Sequence, residues 1–273
     1  MTHQLSGIWA AVLTPVTETL QPDAARAIPY YGELLENGCD GINLLGTTGE
    51  AMSFSVRQRV AFMEAVAQSL PQQRVMAGTG AASLDDAITL TATAFRIGFA
   101  AALIMPPFFY RDAGDDGIMR FFDRLLAPAM HAAAGKILLY NFPRMSGIAF
   151  RTELIEKLVK TYPEQIAGIK DSSNDRSLQA AAIERHRGLA VFPGSEDYLA
   201  EAKAYGAAGC ISGSVCLWPR LAAEVFRTGD AGLAAQLAAQ RRSLEGQRLL
   251  AAVRRRVAQA RTDSAWERTM PPL

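Results

Sequence analysis

Short apolar runs bounded by glycine or polar residues recur along the chain, each followed by a longer stretch with helical spacing. The runs are Ile8 to Thr14, Gly41 to Leu45, Arg74 to Ala77, Ala101 to Met105, Ile137 to Tyr140, Ile166 to Lys170, Leu189 to Phe192 and Gly209 to Ile211. Most lack any alternation of apolar with polar residues, the pattern of parallel strands covered on both faces. Among the helical stretches, Ser55 to Leu70 places Val56, Val60, Met63, Val66 and Leu70 on one stripe, and Ser55 to Gln58 resembles a capping box. Thr152 to Lys160 turns Leu154, Ile155, Leu158 and Val159 inward and Glu153, Glu156, Lys157 and Lys160 outward.

Eight strand–helix repeats predict an α/β fold of the (β/α)8, or TIM, barrel type. The rival, a doubly wound open sheet, more often shows fewer strands and a second domain. Beyond Leu217 the pattern is purely helical, through Leu221 to Phe226, Ala231 to Leu244 and Gln247 to Arg261. The expected organisation is therefore a barrel over residues 1–228 and a C-terminal helical extension over 229–273, packed on the barrel. The basic run Arg254, Arg255, Arg256 in that extension reads as a solvated helix face.

Composition narrows the function classes. The net charge of +1 argues against nucleic acid as a partner, because phosphate binding needs a concentrated basic surface. The segment Met1 to Gly7 lacks the basic head and apolar core of a signal peptide, and no segment holds the roughly 18 apolar residues of a membrane span. Cys39, Cys210 and Cys216 form no paired motif, so a soluble cytoplasmic protein is expected. His3, His131 and His186 all lie outside the strand-end loops, which disfavours a histidine-ligated zinc site. No metal and no organic cofactor is expected.

In a barrel, chemistry belongs at the C-terminal ends of the strands. The candidates there include Gly46 to Glu50 (GTTGE), Gly78 to Gly80, Pro106 to Tyr110, Tyr140, Lys170, Gly194 and Ser195, and Ser212 to Ser214. Lysine is scarce, with five lysines against 23 arginines, and only Lys170 ends an apolar strand. An ammonium held at a barrel mouth is partly desolvated, which favours the neutral, nucleophilic amine of a Schiff-base lysine. The alternative is a strand-end lysine paired with Asp171 or Glu50. Tyr140 ends the preceding strand, where a phenol can carry a proton or simply pack at the rim. The GTTGE segment offers glycines, two hydroxyls and a following helix, a nest suited to a carboxylate or phosphate, or merely a helix cap. Gly78 to Gly80 lacks the third glycine of a dinucleotide fingerprint and reads as a turn.

Together, GTTGE at Gly46 to Glu50, YNFPRMSG at Tyr140 to Gly147, GIKDSS at Gly168 to Ser173 and GAAGCIS at Gly206 to Ser212 resemble the dihydrodipicolinate synthase/N-acetylneuraminate lyase family. The resemblance runs from about Gly7 to Phe226, with the motifs in family order and spacing. It implies a barrel in which Lys170 forms an imine with pyruvate or the pyruvoyl end of a 2-keto acid. It further implies that Tyr140 moves protons, that Thr47 and Thr48 hold the ketoacid carboxylate, and that the Ile211 carbonyl lines the same site. Gly46, Gly194 and Ser195 join the substrate-binding set. A tyrosine from a neighbouring subunit is also implied, at Tyr110 or Phe109, and with it a homotetramer or homodimer.

The sequence departs from the family's branches at specific positions. Where true synthases carry the arginine that holds aspartate semialdehyde, this chain has Met145, with Arg144 one place earlier. Sialic acid lyases usually have serine at the place of Thr47 and KQT-like residues at Lys170 to Ser172. The implied activity is a class I lyase or aldolase that cleaves or forms 2-keto-3-deoxy sugar acids or related 4-hydroxy-2-keto acids, with pyruvate as one product. The alternatives are a synthase condensing pyruvate with aspartate semialdehyde, a hydratase-aldolase of aromatic pyruvates, and a non-catalytic ketoacid-binding protein.

Overall fold

The computed structural model describes residues 5–244 and 248–273. The readings that touch Met1 to Gln4, including His3 and the start of the N-terminal segment, and the helix start at Gln247 lie outside the described residues. Eight parallel strands follow the expected runs: β1 (Gly7–Ala11), β2 (Gly41–Leu44), β3 (Val75–Gly78), β4 (Ala101–Ile104), β5 (Ile137–Asn141), β6 (Ile166–Asp171), β7 (Ala190–Pro193) and β8 (Gly209–Ser212). Around them lie α1 (Ala24–Glu36), α2 (Val56–Ala67), α3 (Leu84–Ile97), α4 (Asp115–Ala132), α5 (Pro143–Ser146), α6 (Thr152–Thr161), α7 (Arg176–Arg185), α8 (Leu199–Ala204) and α9 (Pro219–Thr228). Then come α10 (Ala231–Arg242) and α11 (Leu249–Arg261).

The strands pair in the order β7-β6-β5-β4-β3-β2-β1-β8. Between β7 and β8 the ring is bridged where the Ala208 N–H donates to the Val191 carbonyl at 2.9 Å. This is the (β/α)8 barrel that the repeats predict, and no helix among the described residues is long and apolar enough to cross a membrane. Ser55 caps α2 with the full capping box anticipated from its sequence.

The uniformly apolar strands are explained by two cores. One lies between strands and helices, with Ile8, Ile42, Val75, Ile104, Leu139, Ile169 and Val191. The other fills the barrel, with Trp9, Met76, Leu103, Leu138, Tyr140, Phe192 and Ile211. Alternate residues of each strand serve one core or the other. In β6, Ile169 faces the helices, so Gly168 and Lys170 share the inward parity. Gly168 has no room for a side chain, since a Cβ there would stand 2.3 Å from the Ala190 carbonyl oxygen. The pairing Tyr140↔Lys170 across β5 and β6 therefore brings two inward side chains together.

The basic run of α11 is not the solvated face expected of it. Arg254 is fully buried, Arg256 stacks 5.6 Å from the Trp218 ring centroid, and only Arg255 is exposed. Helical spacing placed these residues correctly along α11 but could not say which side meets the barrel.

Candidate active site

Lys170 is buried at the inner end of β6, its Nζ 4.5 Å from the centroid of the Tyr140 ring. Neither expected carboxylate partner pairs with it. Asp171 points out of the barrel, where it accepts from Asn141 Nδ2 at 2.6 Å, Gln179 Nε2 at 2.7 Å and the Ser173 hydroxyl. Glu50 is engaged by Arg254. Among the described residues Lys170 makes no hydrogen bond or ion pair, and its amine rests in the largely apolar barrel interior against the face of the Tyr140 ring.

The Tyr140 hydroxyl continues the constellation, standing 3.2 Å from Thr47 Oγ1. Thr47 and Thr48 lie in the turn after β2, and that turn is bracketed by two left-handed residues, Leu45 at φ 51° and Glu50 at φ 54°. Such a conformation costs a side-chain-bearing residue about 1–3 kcal/mol and persists only where its surroundings enforce it. Here the enforcement is visible. Gly78 lets the Leu45 backbone approach, since a Cβ on it would stand 2.2 Å from the Leu45 carbonyl oxygen. Arg59, whose guanidinium burial pulls down to about 10, donates to the carbonyls of Gly78 and Gly80 and fixes that neighbouring turn. On the other flank, Gly213 packs so closely that a Cβ would lie 2.7 Å from Thr48 Oγ1.

A cavity of about 220 Å³ opens beside Thr47 and Tyr140. Gly46, Met52, Met105, Phe108 and Met145 are among its lining residues, and among the described residues no lysine or arginine lines it. Arg144 is exposed and does not line it. Lys170 and Thr48 are not among the residues that line the cavity, and neither are Gly194, Ser195, which is buried after β7, or Ile211, which belongs to the barrel interior. Tyr110 is 74% exposed, its ring 5.2 Å from that of the equally exposed Phe109, and within one chain it does not reach the site.

Two residues at this end of the barrel escaped the sequence reading. Asn43 faces inward from β2 with neither side-chain polar atom hydrogen-bonded among the described residues. Its signal was a polar residue inside an apolar strand run. Glu196 is 1% exposed with both carboxylate oxygens likewise unpartnered, directly after Gly194 and Ser195. Burial first, and then the charge of Glu196, push the Cys210 thiol well above its usual range. Cys39 and Cys216 are also buried and free, and burial lifts Cys39 to about 12. Among the described residues no three His, Cys, Asp or Glu side chains gather as a metal-holding group.

The sequence model of the Dihydrodipicolinate synthetase family matches residues 4–258. The chain belongs to this family. It is 37% identical over 221 residues to a Chloroflexus aurantiacus protein described as an uncharacterized DapA-like lyase, covering 81% of this chain and 73% of that one. It is 29% identical over 238 residues to the 4-hydroxy-tetrahydrodipicolinate synthase of Neisseria meningitidis, covering 85% and 79%. Among solved structures, dihydrodipicolinate synthase from Agrobacterium tumefaciens superposes with a TM-score of 0.90 at 28% identity, over 98% of this chain and 93% of that one. As a member of the dihydrodipicolinate synthetase family, the protein is a lyase built on a (β/α)8 barrel.

Proposed function

We propose that this lyase forms an imine between Lys170 and a 2-keto acid, and that it cleaves or forms 4-hydroxy-2-keto acids, such as 2-keto-3-deoxy sugar acids, with pyruvate as one product. The observation that carries this reading is the chain of contacts from the unpaired, buried Lys170 over the Tyr140 ring to the Tyr140 hydroxyl and Thr47. The amine adds to the ketone and water leaves, giving an iminium that accepts electrons. Tyr140 takes the proton of the C4 hydroxyl, with Thr47 as its hydrogen-bonded relay, and the C3–C4 bond breaks to an aldehyde and an enamine. Protonation at C3 and hydrolysis then release pyruvate and free Lys170. Thr48, the Gly46 backbone and the Ile211 carbonyl complete the ketoacid site in this reading, with Gly194 and Ser195 beside it. These steps use side chains of the chain itself.

Among the described residues, none that lines the cavity beside Tyr140 and Thr47 is a lysine or arginine, Lys170 itself lying outside that lining; this favours a neutral aldehyde half over aspartate semialdehyde, whose carboxylate calls for a cation. A homotetramer or homodimer belongs to the same proposal. It is supported by the exposed Phe109 and Tyr110 on the loop after β4, a surface apolar enough to mark an interface. The three unpaired thiols favour a cytoplasmic setting. Incubation with pyruvate and borohydride tests the core of the proposal. A single reduced pyruvyl adduct on Lys170, lost in Lys170→Arg, is expected; labelling elsewhere, or none, would sink it.

A further inference from the structure

The buried Glu50–Arg254 ion pair stands outside the imine chemistry, yet it adjoins the turn that presents Thr47 and Thr48. Arg254 comes from α11, and its guanidinium makes contacts in three directions. It engages Glu50 Oε1, donates to the Thr14 carbonyl after β1 at 3.0 Å, and donates to the Trp266 carbonyl beyond α11 at 3.1 Å. The second Glu50 oxygen accepts the Met270 N–H at 2.9 Å. Both charged side chains are excluded from solvent, at 1% and 0% exposure. Glu50 is also the left-handed residue that ends the Gly46–Glu50 turn, and its own N–H closes that turn on the Thr47 carbonyl at 3.1 Å.

A buried ion pair is seldom a better stabiliser than an apolar pair of the same volume, so its distinctive contribution is geometry and charge. The planar guanidinium fork fixes direction. Its charge also neutralises the carboxylate of Glu50, a residue that lines the same cavity as Thr47; buried behind that wall without its partner, the anion would repel a substrate carboxylate. We propose that Arg254 and Glu50 are positioning residues through which the C-terminal helices hold the Gly46–Glu50 turn in the form that receives the 2-keto acid carboxylate. The inference rests on the imine reading above.

The test compares two imine-forming probes on the full chain. Pyruvate carries the carboxylate, whereas acetaldehyde forms an imine without one. The concentration of each that half-saturates borohydride trapping at Lys170 is measured for the parent protein, Arg254→Met, Arg254→Lys and the double variant Glu50→Gln/Arg254→Met. In Arg254→Met the pyruvate requirement should rise about tenfold or more while the acetaldehyde requirement stays put. Arg254→Lys, which keeps the charge, and the double variant, which removes the stranded anion, should fall between. Should Arg254→Met fail to fold, those two carry the same comparison. Unchanged pyruvate half-saturation in the folded variants would overturn the inference, and so would a parallel loss with both probes, which marks a merely structural role. Absence of pyruvate trapping in the parent protein would instead overturn the imine reading, and this inference with it.

Discussion

The Tyr140 hydroxyl and Thr47 Oγ1, 3.2 Å apart, join the end of β5 to the turn after β2 across the barrel mouth. Because the Tyr140 ring also lies against Lys170, one side chain touches both the proposed nucleophile and its relay. Replacing Tyr140 by Phe keeps the ring and removes the proton carrier. Steady-state turnover should fall by about 10² to 10⁴, while pyruvate still labels Lys170. Unchanged turnover would assign proton transfer to another group.

Under the proposed function, Met145 stands where the choice of aldehyde can be tested. It lines the cavity and is 49% exposed, and among the described residues no lysine or arginine lines that cavity to meet a second carboxylate. The parent enzyme should therefore prefer a neutral-tailed substrate such as 2-keto-3-deoxygluconate over condensation with aspartate semialdehyde, judged by kcat/KM. Met145→Arg should shift the ratio towards the semialdehyde by about tenfold, roughly 1.4 kcal/mol. No movement would mean that the second carboxylate is read elsewhere.

Gly168 sets the position of Lys170 two residues along β6. A methyl group at Gly168 meets the Ala190 carbonyl oxygen of β7, which is backbone and cannot rotate away. Gly168→Ala should cost about 1–3 kcal/mol in urea unfolding and slow the trapping of Lys170 in whatever protein remains folded. A stability change under about 0.5 kcal/mol, with trapping intact, would show that β6 and β7 can separate at this point.

The C-terminal helices should loosen in acid. Hydrogen bonding to Arg261 of α11 lowers the Glu33 carboxyl, and hydrogen bonding to Arg26 lowers that of Asp263. A lowered carboxyl means that the folded state binds its proton more weakly than the unfolded chain. The stabilisation is thus fully present above the ordinary values of 4.5 for Glu33 and 3.8 for Asp263, and is lost as pH falls through the lowered ones. Glu33 is half-exposed, so its pair is worth under about 1 kcal/mol. Hydrogen exchange should show α11 amides losing protection ahead of the strands as pH falls below 4.5 and on through the lowered values of the two carboxyls. Protection of α11 and the strands lost together would show that these pairs do not govern its docking.

Much of the architecture is written locally. Runs of four to six apolar residues are what a strand between two cores requires, and the strand ends in turn locate the chemistry. The scarcity of lysine, and the place of Lys170 at the end of such a run, singled it out before any fold was known. The boundaries moved by a few residues. β1 stops at Ala11, leaving Val12 to Thr14 as a buried loop, and Arg74 falls in the turn before β3.

Charge partnerships were a different matter, because they depend on ring closure. Periodicity relates a residue to neighbours three or four positions away, so it could place Arg254 on a helix but not choose its face. Glu50 and Arg254 are 204 residues apart, and nothing in either neighbourhood names the other. The same holds for Asp171, which inward or outward parity assigns to Asn141 and Gln179 rather than to Lys170. The sequence by itself determined the strands, their order of use and the lysine at the end of the sixth. Only the tertiary structure decided which buried charges neutralise one another, because closing the barrel and docking α11 bring those groups together after every local preference is satisfied.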